Sequence, residues 1–212
     1  MNFKCLQLPN VGVITGVLTE EQLAPLKKEI LEIQSNFNIA QKRNKYLAGN
    51  IKKEFTITKS KSHIDRLLQP YILEFDKSFK YLGTMSTLDT SCPLAMGPMW
   101  VNFQEKYEFN PPHTHSGVLS FVIWISIPYS IKEEKLQSPG AESANSVAGN
   151  FAFHYTNILG KICHQSIEAD NSMENHLFLF PAELNHSVTP FYTSDKYRIS
   201  VSGNYTFKVP NK

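Results

Sequence analysis

Pro111-Pro112-His113-Thr114-His115-Ser116-Gly117 runs directly into an apolar segment, Val118 to Ile127. Two histidines at i and i+2 on a strand point to the same side. A second apolar strand, Leu177-Phe178-Leu179-Phe180, follows and leads through Pro181 to His186. A third histidine there is placed to close a metal site with the first two. Neutral imidazoles suit first-row metals such as iron, zinc, copper and nickel. Twelve residues beyond His186 comes Arg198-Ile199-Ser200-Val201-Ser202. Its alternation puts Arg198, Ser200 and Ser202 on one face and Ile199 and Val201 on the other. An arginine on the inner face of such a strand needs an anion, and its fork grips a carboxylate in two places. Asn102, in Trp100-Val101-Asn102-Phe103, precedes the histidine pair and is a candidate hydrogen-bonding group for an organic co-substrate. His63, His154, His164 and His176 lack this context and are read as non-ligands.

Outward from this core, strand patterns cover 99–104, 119–127, 150–155, 161–167, 176–180, 186–191 and 198–207. Upstream, Thr19 and Gln22 have capping-box spacing, and Leu23, Leu26, Ile30, Ile33 and Phe37 form one helical stripe. A short strand is expected over Val11 to Thr15. A second helix is expected from Ser62 as N-cap to about Tyr81, stopped near Gly83, with Pro70 as a possible kink and Leu67, Leu68, Tyr71, Ile72, Phe75 and Phe79 on its buried face. The Lys-rich stretch 38–62 reads as a surface loop. The polar stretch Ser130 to Ala148 reads as a long loop of the kind that forms lids. Two helices followed by many short strands imply an α+β domain: an all-β sandwich or barrel core with the helices packed on one face. A single domain, 1–212, is expected, with 1–94 as a supporting region and 95–212 as the β core.

The net charge of +2 leaves no nucleic-acid or anionic-membrane footprint. No apolar run is long enough to span a membrane, and no signal peptide is readable at Met1-Asn2-Phe3-Lys4-Cys5. Cys5, Cys92 and Cys163 are far apart, which fits a reducing compartment, and a cytoplasmic location is expected.

The stretches Trp100 to Phe103, Tyr107 to Gly117, Phe180-Pro181 with His186, and Arg198 to Asn204 resemble the 2-oxoglutarate/Fe(II)-dependent oxygenases. More narrowly they are similar to oxygenases encoded by tailed phages of marine cyanobacteria. The resemblance implies a double-stranded β-helix (a distorted jelly roll), Fe(II), and 2-oxoglutarate as co-substrate. It also implies hydroxylation of a small-molecule or peptide substrate, coupled to decarboxylation of the co-substrate, in the host cytoplasm if the enzyme is phage-encoded. Residue by residue, it assigns the first ligand to His113, the distal ligand to His186 and the far-carboxylate motif to Arg198 and Ser200. The family's carboxylate ligand has no match, because His115 stands in its place. Three readings follow: His115 is the third ligand; or His115 is the first ligand, with Gly117 at the carboxylate position; or Glu108 or Glu183 supplies the carboxylate. The first needs no rearrangement and is preferred. Competing functions are a three-histidine cupin enzyme that uses no 2-oxoglutarate, and a non-catalytic jelly-roll phage protein.

Overall fold

The computed structural model describes residues 10–44, 49–85 and 93–208; Cys5 and Cys92 lie outside them. In chain order the elements are β1 Ile14–Val17, α1 Glu20–Ser35, β2 Glu54–Ile57, α2 Lys61–Phe79, β3 Leu94–Gln104, β4 Asn110–His113 and β5 Leu119–Ser126. They continue with α3 Ile131–Gln137, β6 Asn150–Thr156, β7 Ile162–Glu168, β8 His176–Pro181, β9 Asn185–Val188 and β10 Arg198–Phe207. One sheet has six strands in the order β1-β8-β5-β10-β3-β2, and the other four in the order β4-β9-β6-β7. All pairings are antiparallel. These two sheets form the double-stranded β-helix, and β1 and β2 from the first half of the chain complete the larger one.

Alternation divides each strand of the larger sheet between two cores. Val101 and Phe103 of β3, Phe121 and Ile123 of β5, Leu177 and Leu179 of β8, and Ile199 and Val201 of β10 face outward. They pack beneath Leu23, Leu26 and Ile30 of α1 and Ile64, Leu68, Ile72 and Phe75 of α2. Val122, Trp124, Phe178 and Phe180 face inward and meet Phe151 and Phe153 of the smaller sheet. The inner face therefore becomes the site, and the helices lie on the opposite side of the sheet from it.

Helix α1 starts on the capping box read from Thr19 and Gln22. Helix α2 starts two residues earlier than the Ser62 expectation, with Ser60 as N-cap. Its first turn is capped from outside. The buried carboxylate of Glu29 accepts from the amides of Thr58, Lys59 and Ser60 and from Ser60 Oγ at 2.6–2.9 Å. The helix ends at Phe79 with Lys80 in the left-handed region (φ 51°), not at Gly83, and runs unbroken through Pro70.

Three further expectations are corrected. The first strand sits at 14–17, not 11–15, because those are the residues that pair with His176 to Leu179 of β8. The 38–62 loop contains β2, whose Glu54-Phe55-Thr56-Ile57 alternation pairs with β3. The 130–148 segment is not a plain loop: it opens with α3, whose buried Glu134 carboxylate accepts from the amides of Tyr192 and Thr193 at 2.8 Å. That anchors the segment beside the smaller sheet, and none of its residues lines the cavity that holds the three histidines.

Candidate metal centre

His113, His115 and His186 converge. Each offers a ring nitrogen, and the three nitrogens lie within 4.8 Å of one another. Ring centroids are 4.3 Å apart for His113 and His186, and 5.0 Å for each pair with His115. The histidines do not reach this point as an i, i+2 pair on the apolar strand. His113 ends β4, directly opposite His186 of β9. His115 follows in an irregular turn, tied down where its amide donates to Ala182 O at 2.8 Å and its ring meets Trp100 edge-on at 5.4 Å.

Backbone carbonyls set the tautomers. His113 Nδ1 lies 2.7 Å from Pro111 O, and His186 Nδ1 lies 2.9 Å from Leu184 O. A carbonyl only accepts, so each Nδ1 carries the proton and each Nε2 keeps its lone pair. This is how metal-binding imidazoles are held and oriented. Burial lowers the His113 pKa, takes His115 to about 4 and takes His186 to about 3, with neighbouring charges adding to the last two. All three are neutral at pH 7, the form that binds a metal.

The alternative carboxylates are elsewhere. Glu108 is buried, but it braces a turn by accepting from the amides of Lys52 and Glu105. Glu183 is exposed. Neither belongs to the histidine cluster. Gly117 has a backbone reason to be glycine. Its φ is +123°, and a Cβ there would fall 2.7 Å from Tyr205 O. Of the remaining histidines, His63 bonds Gln22 O and His154 bonds Ser187 Oγ, both away from the cluster.

The cluster lines a cavity of about 330 Å³ between the sheets. Opposite the histidines, Glu54, Asn102, Ser200 and Trp124 form one row across β2, β3, β10 and β5. Three polar atoms of this cavity's wall are buried without a partner: Asn102 Oδ1, Asn110 Oδ1 and Trp124 Nε1. Buried polar atoms rarely stay unpaired, so the cavity is shaped for a polar ligand. Sequence reasoning selected Asn102 and Ser200. It missed Arg43, Glu54, Gln104, Asn110 and Trp124, which also line the wall. Arg43 stacks on Trp100 at 4.8 Å, and its charge helps depress the His115 pKa. Glu54, its carboxylate 3.8 Å from Arg43 Nε, is pushed up to about 7 by burial.

Arg198 is 1 % exposed and points inward. It does not itself line the cavity. Its guanidinium lies between Trp124, Tyr129 and Phe191.

A family model described as "Putative 2OG-Fe(II) oxygenase" matches residues 98–204, half of the chain and every residue of the histidine cluster. The chain belongs to the 2-oxoglutarate/Fe(II) oxygenase family. Among solved structures, a Pseudomonas putida prolyl-4-hydroxylase is similar at 13 % identity and TM-score 0.56, over 93 % of this chain and 94 % of that one. SnoN, an α-ketoglutarate-dependent epimerase of nogalamycin biosynthesis, is similar at 14 % identity and TM-score 0.56, over 92 % and 78 %. A 2OG-Fe(II) family oxidoreductase from Burkholderia pseudomallei gives 12 % and 0.53, over 96 % and 93 %. At these identities the likeness is one of fold. No curated protein matches the chain. Fe(II) and 2-oxoglutarate are the metal and co-substrate of this oxygenase. The donor chemistry fits both: three neutral imidazoles for a borderline first-row ion, and on the facing wall the unused Trp124 Nε1–H, a donor for an organic anion.

A pH prediction follows from the imidazoles. Below pH 6.5 the unfolded chain takes up protons that the cavity refuses, so stability falls with pH from 6.5 towards 3. For buried His186 alone, the loss by pH 5 is roughly 2 kcal/mol. Glu54 acts in the opposite sense, since a raised carboxyl pKa costs stability above pH 4.5 and is relieved as pH falls through 7. Three histidines outweigh one glutamate, so the melting temperature of metal-free protein should drop between pH 7 and 5. The drop should be steeper in Glu54→Gln. A flat profile in both would mean that the rings are solvated.

Proposed function

We propose that this oxygenase is a hydroxylase in which His113, His115 and His186 hold the iron and Asn102, Ser200 and Arg198 bind 2-oxoglutarate. The observation that carries the ligand set is the convergence of three carbonyl-oriented or packed imidazoles on one cavity wall, with no carboxylate among them. Bound together, Fe(II) and 2-oxoglutarate would use dioxygen to oxidise 2-oxoglutarate to succinate and carbon dioxide and to hydroxylate a substrate C–H bond, one oxygen atom going to succinate and the other to the product. The chain's own residues orient and exclude. Pro111 O and Leu184 O aim the two Nε2 atoms into the cavity. Trp100 holds the His115 ring. Val122, Phe151, Phe180 and Val188 are the apolar part of the lining, and Phe151 and Phe180 pack beside the His186 ring. Trp124 Nε1–H and the Asn102 side chain supply polar contacts that the protein leaves open. We further propose a phage-type enzyme that works in a host cytoplasm, a reading that rests on the resemblance carried by Trp100 to Phe103, Tyr107 to Gly117 and Arg198 to Asn204. No described helix is long and apolar enough to cross a membrane.

A second reading is favoured by one observation. Every guanidinium donor of Arg198 already has a protein acceptor. A three-histidine enzyme without 2-oxoglutarate would show the same saturation. Adding 2-oxoglutarate anaerobically to Fe(II)-loaded protein separates the two. The oxygenase reading expects one Fe(II) per chain and a metal-to-ligand charge-transfer band that saturates at one equivalent of 2-oxoglutarate. Stoichiometric iron with no band would leave the cupin-type reading standing, and no iron at all would leave a non-catalytic module.

A further inference from the structure

Gln104 and Arg198 sit opposite each other where β3 pairs with β10. All five N–H donors of the guanidinium are taken. Nε and Nη2 both donate to Gln104 Oε1, at 3.1 and 2.8 Å. Nη1 donates to Tyr129 OH at 2.5 Å and Gly149 O at 3.2 Å, and Nη2 also donates to Thr189 O at 2.8 Å. Nε and Nη2 lie side by side on one edge of the guanidinium, an edge that suits a carboxylate in a two-point grip. Here a single amide oxygen holds it.

Of the four acceptor residues, only Gln104 lines the cavity. Tyr129, Gly149 and Thr189 close around Arg198 from behind. An anion arriving from the cavity therefore meets the guanidinium through Gln104. Trp124, whose ring centre lies 5.9 Å from the guanidinium carbon, also lines the cavity, and its Nε1–H is buried without an acceptor. A cation whose cavity-side edge is filled by a neutral oxygen, next to an unused N–H, has the makings of an anion site occupied by its own protein.

We infer that Gln104 is a latch on the co-substrate site. In the ligand-free protein its carboxamide oxygen holds the place of the far carboxylate of 2-oxoglutarate, and it swings off Arg198 when that carboxylate binds. This rests on the 2-oxoglutarate reading above. The exchange favours the ligand, because a charged acceptor bonds a guanidinium more strongly than a neutral one. It also filters ligands. A monocarboxylate keto acid can chelate the metal but has no second carboxylate to open the latch. Gln104 Nε2 donates to Glu108 O at 2.5 Å, and this contact can tether the side chain as Oε1 leaves. Gln104 is a positioning residue, and substitutions there should move co-substrate affinity in opposite directions.

The test is calorimetric titration of 2-oxoglutarate into anaerobic Mn(II)-loaded protein, with melting temperature and metal stoichiometry measured on the same samples. Gln104→Ala, or Gln104→Met if the alanine variant folds poorly, removes the stand-in oxygen. Affinity should rise about tenfold. Gln104→Glu places a tethered carboxylate on Arg198. Affinity should fall by roughly a hundredfold or more, with one metal still bound and the melting temperature unchanged or raised. A merely structural role would lower affinity, or leave it alone, in both. The latch is overturned if folded, metal-loaded Gln104→Glu binds 2-oxoglutarate as tightly as the parent. If the parent itself, fully metal-loaded, binds no 2-oxoglutarate, the oxygenase reading falls and the latch falls with it. Equal affinities in all variants remove the latch alone.

Discussion

Arg198→Ala should cost stability and co-substrate binding together, and the two losses are separable. The side chain is buried, and its removal takes the guanidinium donors from Gln104 Oε1, Tyr129 OH and Thr189 O at once, while Gly149 O keeps its bond from Tyr129 OH. Unpaired buried acceptors cost about 1–3 kcal/mol each before relaxation. Waters will satisfy some of them in the space left between Trp124 and Phe191. A loss on the order of 3–5 kcal/mol is expected, read as a lower denaturation midpoint. Arg198→Lys should recover part of it, since it restores a charge but not the planar fork. Affinity for 2-oxoglutarate should fall by roughly 1.5–3 kcal/mol, the range for charged hydrogen bonds, or about ten- to a hundredfold. Metal stoichiometry should hold in the folded fraction, because the guanidinium touches none of the three histidines. If folded Arg198→Ala binds 2-oxoglutarate normally, the far carboxylate sits elsewhere. Arg43, the guanidinium that does line the cavity, is then the residue to substitute.

The inner face of β10 was legible because its alternation is strict: Arg198, Ser200 and Ser202 against Ile199 and Val201. Burial of an arginine on such a strand follows from that pattern. Its partners do not, because Gln104, Tyr129, Gly149 and Thr189 come from four separate places in the chain, and only sheet pairing brings them together. The three histidines read together in the sequence do converge, though from other elements than their spacing suggests. Pro111 and Pro112 belong to β4, a strand the sequence reading did not include, at the edge of the smaller sheet, where proline's missing N–H is tolerated. The pairing of His113 with His186 across that edge closes the cluster, and a register set over seventy residues leaves no local trace. Glu54 was hidden differently. Its four-residue alternation, Glu-Phe-Thr-Ile, is a fair strand signal, but it lies in a Lys-rich stretch that reads as loop. Lys52 and Lys53 in fact hold that stretch to the β3–β4 turn through Glu105. Glu134 shows the same limit. A glutamate in a polar run looks solvated, and only the fold reveals that it caps the Tyr192 and Thr193 amides.

Alanine at each histidine in turn should settle what His115 does. With all three ring nitrogens within 4.8 Å, a three-histidine centre predicts large and comparable losses of metal affinity for His113→Ala, His115→Ala and His186→Ala. Each should exceed the 10–100-fold that losing a mere outer-shell partner costs. His113 and His186 arrive pre-oriented by Pro111 O and Leu184 O, whereas His115 is held by packing on Trp100. The His115 loss should therefore be the smallest of the three. In the two-histidine alternative with Gly117, the order reverses: His115→Ala abolishes binding and His113→Ala is mild. Charge gives a second readout. Three neutral imidazoles leave the full double charge of Fe(II) for 2-oxoglutarate to meet, and a carboxylate ligand would cancel about half of it. His115→Asp should thus keep one metal per chain, shift the charge-transfer band and weaken 2-oxoglutarate binding through the lost Coulomb attraction. An aspartate with an unshifted band would place residue 115 outside the coordination sphere. Mild losses at both His113 and His115 would do the same for the three-histidine centre, and they would send the search to Glu54, the carboxylate that shares the cavity wall with the cluster.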